Sequence, residues 1–277
     1  MKTLALWIVL VINVIARADD APPSREKESM NPLREHYQLA AKKYEFYLDK
    51  DRKVPLVLEP NPILHWSSDN DWSGDVFVWM AAGRPQIIGC MLSSPTKPER
   101  TAIHEFHTLA AEPIAPAEMT AKYRWAPKAG VEFQKFDGVP ATTAAGRLPQ
   151  MRAISRELHA FMRADGQYEL RLLSQPLLRY QPTEGDVVDG ALFSWVWAGR
   201  GTDPEVIVAL ECHRTPRGLE WKYAPARMTT REVWLTHGDR EVWRVPIHRE
   251  EGKELCTGLY TTRPAGRISL AQAKEGS

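Results

Sequence analysis

The string His104-Glu105-Phe106-His107 is the first place where residue types and spacing invite chemistry. Two histidines around a glutamate suggest a metal centre or a hydrolase. A zinc-protease helix, however, needs histidines at i and i+4 with the glutamate beside the first. Here the spacing is three and the setting is that of a strand, on which His104 and His107 face opposite sides. These two are the metal-ligand candidates; a strand with mixed polar faces is the competing reading, and the spacing favours it. No cofactor is expected. Glu105 gains weight because Glu220-Trp221 returns 115 positions after Glu105-Phe106. Two duplicated carboxylates converging on an axis would split their pKa values and serve as acid and base. Salt bridges to arginines such as Arg179 or Arg227 explain such acids as well. Glu211 and His213 share a strand face, and a His-carboxylate pair suits proton transfer. Glu105, Glu220 and His213 are thus the catalytic candidates, though the chain shows no Gly-x-Ser-x-Gly elbow, Walker A loop or dinucleotide fingerprint to accompany them.

Ligand binding has a different set of candidates. Arg84 and Arg200 each follow an Ala-Gly pair at the same point of two similar segments. A guanidinium there clamps a carboxylate or phosphate, or pairs with an acid such as Asp75 or Glu205. Among the ten tryptophans, Trp66, Trp72, Trp125, Trp234 and Trp243 lie near strand ends or loops, where a ring can stack on a sugar or another apolar face. Trp66 and Trp125 join Arg84 and Arg200 as ligand candidates, with core packing as the alternative for the tryptophans.

The elements that must hold these residues come in two similar sets. Pro62-Ile63-Leu64-His65-Trp66, Gly74-Asp75-Val76-Phe77-Val78-Trp79 and Gly83-Arg84 return as Pro176-Leu177-Leu178-Arg179-Tyr180, Gly190-Ala191-Leu192-Phe193-Ser194-Trp195 and Gly199-Arg200. So small a drift in offset implies a tandem duplication. Before each set, apolar residues at three- and four-residue spacing predict a helix, over residues 32–48 and 151–162. After each helix, alternating and apolar runs predict strands and a hairpin. The second copy inserts Gly201-Thr202-Asp203 in its hairpin loop. The expected fold class is α+β: a tandem duplication of a helix followed by an antiparallel β-meander. Both faces of the central hairpins are apolar, whereas a sheet wet on one side alternates. The second face therefore needs a cover, either the other half of the chain in a pseudo-two-fold arrangement with a shared core, or a second copy in a homodimer.

Lys2, an apolar stretch from Leu4 to Ile15 and Ala16-Arg17-Ala18 form a secretory signal pattern over residues 1–18. Residues 19–30 read as a disordered spacer. Residues 31–145 and 146–262 are the two repeats, and 263–277 a polar tail. No later segment is long and apolar enough for a membrane span. With 36 basic and 35 acidic residues, the net charge of +1 provides no field to attract nucleic acid. Three cysteines, Cys90, Cys212 and Cys256, fall short of a disulfide scaffold.

The second copy resembles a family of exported proteins of planctomycete bacteria. The resemblance is carried by Leu170-Arg171-Leu172-Leu173-Ser174-Gln175-Pro176, Asp189-Gly190-Ala191-Leu192-Phe193, Gly201-Thr202-Asp203-Pro204-Glu205, Trp221-Lys222-Tyr223 and Ala226-Arg227-Met228. It implies export to the periplasm or beyond and offers no catalytic residue to carry over. The leading expectation is a non-catalytic exported protein with a binding surface for a protein or saccharide between its repeats. A hydrolase using Glu105 and Glu220, or a structural component of an envelope assembly, are the alternatives.

Overall fold

A computed structural model describes residues 25–128, 130–249 and 254–269, with side chains from residue 32 onward. The expected signal and residues 19–24 of the expected spacer lie outside the described residues. In chain order, α1 (Arg25–Ala41) is followed by β1 (Val57–Leu58), β2 (Leu64–Ser67), β3 (Ser73–Ala81), β4 (Arg84–Thr96), β5 (Glu99–Thr108), β6 (Ala117–Thr120), β7 (Tyr123–Trp125) and β8 (Gln134–Phe136). Then come α2 (Ala144–Glu157), β9 (Leu158–Arg163), β10 (Gln167–Glu169), β11 (Arg171–Leu172), β12 (Leu178–Tyr180), β13 (Val187–Val196) and β14 (Pro204–Thr215). The last are β15 (Gly218–Arg227), β16 (Glu232–His237), β17 (Arg240–Val245), β18 (Leu255–Cys256) and β19 (Tyr260–Ile268).

The fold is mainly β, which corrects the α+β expectation. The described helices are only two, of 17 and 14 residues, against four sheets. α1 stops at Ala41, and Tyr44 and Phe46 leave it to pack on the sheet, with the Tyr44 and Phe106 rings 4.7 Å apart. α2 starts on an N-cap, Thr143, whose hydroxyl accepts from the Gly146 amide. It stops at Glu157. Leu158, Ala160 and Met162 are buried while their neighbours are not, which is the two-residue period of a strand, so the stretch expected to complete a helix is β9. Residues 25–30, expected in the spacer, belong to α1.

Two six-stranded sheets carry the molecule. In the first, the order is β1-β3-β4-β5-β19 with β2 on β3; in the second it is β11-β13-β14-β15-β8 with β12 on β13. Leu58 opposes Trp79 as Leu172 opposes Trp195, and Leu64 opposes Val76 as Leu178 opposes Leu192. The final strand of each sheet comes from elsewhere. β8, expected to continue the first repeat, pairs with β15 of the second sheet, Phe136 opposite Trp221. β19 returns to the first sheet, Tyr260 opposite His107, so residues 263–268 are paired strand and not tail. β16 and β17 join β9 and β10 in a separate four-stranded sheet, and β18 pairs parallel to β7 beside β6.

Side chains sort by alternation along each strand. On β3, Phe77 and Trp79 face outward onto Leu33, Tyr37 and Ala41 of α1, while Val76 and Val78 face inward. On β13 and β14, Phe193, Trp195, Val206 and Val208 face outward, toward Met151 and Ile154 of α2 and the four-stranded sheet; Leu192, Ile207 and Ala209 face inward. The inward residues of both sheets form one core, so each sheet covers the other's second apolar face. Each helix is tied down by charge: Arg34 lies 3.7 Å from buried Asp75, and Arg147 donates to buried Asp189 at 2.9 Å. All three cysteines are free, and Cys90 and Cys212 are buried among apolar neighbours. No helix among the described residues is long and apolar enough to cross a membrane.

Candidate functional site

At one end of the interface between the sheets lies a cleft of about 390 Å³. Its floor comes from β5 and β14. Glu105 stands opposite Cys90 and therefore points inward, and Glu205 sits at the start of β14, with Asp203 just before it. One wall is the loop before β3, with Asp69, Asn70 and Trp72; the other is Trp197 and Arg200, with Thr229 and Arg231 beyond β15.

The inserted loop reaches the cleft because of a glycine. Gly201 has φ +108° and bridges Ser68 of the other half, and a Cβ there would sit 2.1 Å from the Ser67 carbonyl oxygen. Only glycine allows that approach together with that backbone. The Thr202 amide then donates to the Ser67 carbonyl at 3.2 Å. This contact fixes Arg200 on one side of the bridge and Asp203 on the other. At the opposite end of the interface, the Thr183 amide donates to the Ala82 carbonyl at 2.9 Å.

The electrostatics of the cleft are unusual. Burial pushes the Glu105 carboxyl up to about 8, against a hydrogen bond from the Tyr260 hydroxyl, and nearby Glu205 adds to the rise. Glu205 is raised to about 7 by burial, opposed by Thr229 and Arg231. Asp203 is raised too, by burial first and then by the charges of Glu205 and Glu105. Glu205 is 2% exposed and its Oε1 is buried without a hydrogen-bond partner. The nearest cation, Arg231 Nη1, is 3.9 Å away, too far for a hydrogen bond. Arg200 and Arg231 both lie over the Trp197 ring, at 4.6 and 5.0 Å from its centroid.

The structure separates the sequence candidates. Glu105 and Arg200 line the cleft; Glu220 does not. From the matched pairs Trp79 with Ile87 and Trp195 with Val206, the place of Glu105 in the second sheet falls to Ala224, and Glu220 lies four residues earlier, beside His213 and 3.5 Å from Lys135. The expected duplicate pair is therefore out of register. His213 does meet Glu211, at 2.8 Å, but far from the cleft, where Arg84 and Tyr180 also hold that carboxylate. Arg84 is thus a structural partner of Glu211. Trp66 and Trp125 are core: one indole donates to Cys90 Sγ at 3.3 Å, the other to the Gly258 carbonyl at 2.9 Å. His104 pairs with the Tyr44 hydroxyl at 2.6 Å and His107 with the Thr108 carbonyl at 2.7 Å. Burial lowers both to about 4, so both are neutral. Among the described residues, no group of three or more His, Cys, Asp or Glu is placed to hold a metal ion.

Sequence reasoning missed Asp203, Glu205 and Arg231 as site residues. The available signal was the insertion of Gly201-Thr202-Asp203 into one of two otherwise matched hairpin loops. Comparison with family models, curated proteins and solved structures finds no match.

Proposed function

We propose that the protein is an exported, non-catalytic binding protein that takes a small ligand in the cleft between its two sheets. One observation carries the reading: the unpaired Oε1 of Glu205, buried in a cleft whose size is at the lower end of small-molecule sites. A native fold leaves a buried acceptor unmatched at a cost of about 1 to 3 kcal/mol, and a ligand donor would recover it. Export rests on the signal pattern of residues 1–18 and on the planctomycete resemblance. The correspondence of strand order and register between the two six-stranded sheets supports an origin of their strands by duplication, with the ligand loop added in one copy.

The test is thermal stability across a panel of saccharides, amines and amino acids, for the wild type and for Asn70→Trp, which fills the mouth of the cleft from an exposed position. A compound that raises the melting temperature of the wild type alone, and is recovered unchanged, supports binding. A panel without any such compound overturns it. Turnover of a bound compound would favour a second reading, a hydrolase in which the raised Glu105 donates a proton and another cleft carboxylate accepts one.

A further inference from the structure

We infer that the cleft ligand is a protonated organic amine, with Glu205, Asp203 and Glu105 as its counter-ions and Trp72 as the surface for its apolar part. This rests on the binding reading above and narrows it. Four carboxylates line the cleft, counting Asp69 at its rim, against the two guanidiniums of Arg200 and Arg231. Those guanidiniums lie over the Trp197 ring toward solvent, while the inner end of the cleft is lined by the buried carboxyls of Glu105 and Glu205. The unpaired Glu205 Oε1 accepts hydrogen bonds, and once ionised it needs a cationic donor. Trp72 is 37% exposed and offers ring surface at the same cleft. A bare metal ion fits less well, since the described acids do not converge closely enough to coordinate one.

Burial supports the same conclusion from the other direction. Glu105, Asp203 and Glu205 line one cleft within electrostatic reach of one another, with Tyr260, Thr229, Arg231 and, behind Tyr260, Arg227 around them, and all three carboxyls are raised. Without a ligand, the cheapest way to hold these acids is to keep them protonated. An incoming ammonium replaces protons as the counter-charge, so binding at neutral pH releases protons and strengthens as pH rises. Affinity falls again only where the amine loses its own proton, near 10 for an alkylamine, about the value for lysine.

Titration calorimetry of the full mature chain tests this with phenethylamine, its neutral isostere 2-phenylethanol, and glucose. Phenethylamine is expected to bind at least about tenfold tighter than 2-phenylethanol, and its affinity to rise from pH 6 to pH 8.5. At pH 7 its binding heat should vary with the ionisation heat of the buffer, the signature of proton release. Glu205→Gln should weaken phenethylamine by roughly tenfold while leaving 2-phenylethanol unchanged. Trp72→Ala, at an exposed position, should weaken both compounds and serves if the Glu205 variant does not fold. Glucose or the alcohol binding as tightly as the amine would overturn the amine inference and leave the binding reading standing. Failure of phenethylamine to bind would overturn the inference outright, and the wider ligand panel then decides the binding reading separately.

Discussion

Arg84 and Glu211 grip each other across the interface between the two sheets, Nε to Oε1 at 2.8 Å and Nη2 to Oε2 at 3.0 Å. The two residues are 127 positions apart, so this fork joins the halves and not neighbouring strands. Tyr180 donates to Glu211 Oε1 at 2.9 Å, His213 lies 2.8 Å from Oε2, and Phe133 lies under the Arg84 guanidinium. Burial pushes the Glu211 carboxyl up, yet His213 and Arg84 together outweigh it and hold the group below its ordinary value. Removing the arginine leaves a buried acid with only Tyr180 and His213 to hold it. Arg84→Ala should therefore destabilise the fold by about 3 to 5 kcal/mol, measured by urea denaturation at pH 7. A loss smaller than about 1 kcal/mol would mean that the pair is solvated and holds nothing together.

Large rings at the centre of each outward face give a second expectation. Trp79 and Trp195 are each 1% exposed and occupy matching places opposite Leu58 and Leu172. Either one replaced by alanine should cost about 3 to 5 kcal/mol. The two losses should be similar, because α1 and α2 with the four-stranded sheet close over them to the same degree. Chemical denaturation of both variants checks this.

The carboxyls of the cleft and the Glu211 fork respond to pH with opposite sign. A folded pKa of about 8 for Glu105, above about 4.3 in the unfolded chain, gives stability that is present below the lower value and lost as pH rises toward the higher one. Glu205 and Asp203 act in the same direction. Glu211, held low, contributes stability above its unfolded value that is lost as pH falls. Glu105→Gln should therefore flatten the decline of stability between pH 5 and pH 8.5, and at pH 8.5 be more stable than the wild type by about 2 kcal/mol. An unchanged slope in the variant would place the Glu105 carboxyl in water.

Strand positions were legible where alternation and apolar content agreed. Trp79, Ile87, Trp195 and Val206 fall on strands at the expected places because both neighbours and both faces demand burial. Helical spacing was less decisive. Leu158 and Phe161 satisfy a three-residue period as well as they sit on β9, and pairing with β16, Phe161 opposite Trp234, settles the competition. Glu105 stands out in the sequence through a match to Glu220 that the strand register does not keep, and Arg200 through its place in a hairpin turn; both line the cleft. Their company was not legible. Glu205 was noticed only as a partner for arginine, and the register that parts Glu105 from Glu220 depends on extra residues in one hairpin, whose effect appears only once strands are paired. Trp66 and Trp125 show the same limit, since a tryptophan near a strand end looks alike whether its indole meets solvent or, as here, a cysteine sulfur and a carbonyl.

The two six-stranded sheets should fold only together. Each is completed by a strand supplied from the other part of the chain: β8, before α2, closes the second sheet on β15, and β19, after the second set of strands, closes the first on β5. Splitting the chain at residue 145 would strip β19 from the first part and β8 from the second, exposing the backbone donors and acceptors of β5 and β15. It would also uncover the inward faces that Val76, Val78 and Ile88 share with Leu192, Ile207 and Ala209. A soluble monomer tolerates only a few hundred Å² of such contiguous apolar surface. Residues 30–145 and 146–265, expressed separately, should each lack a cooperative thermal transition, and mixing the two parts should restore one. A cooperative melt from either monomeric part alone would show that the shared core and the exchanged strands are dispensable, and the cleft between the sheets would then lose its claim to a fixed geometry.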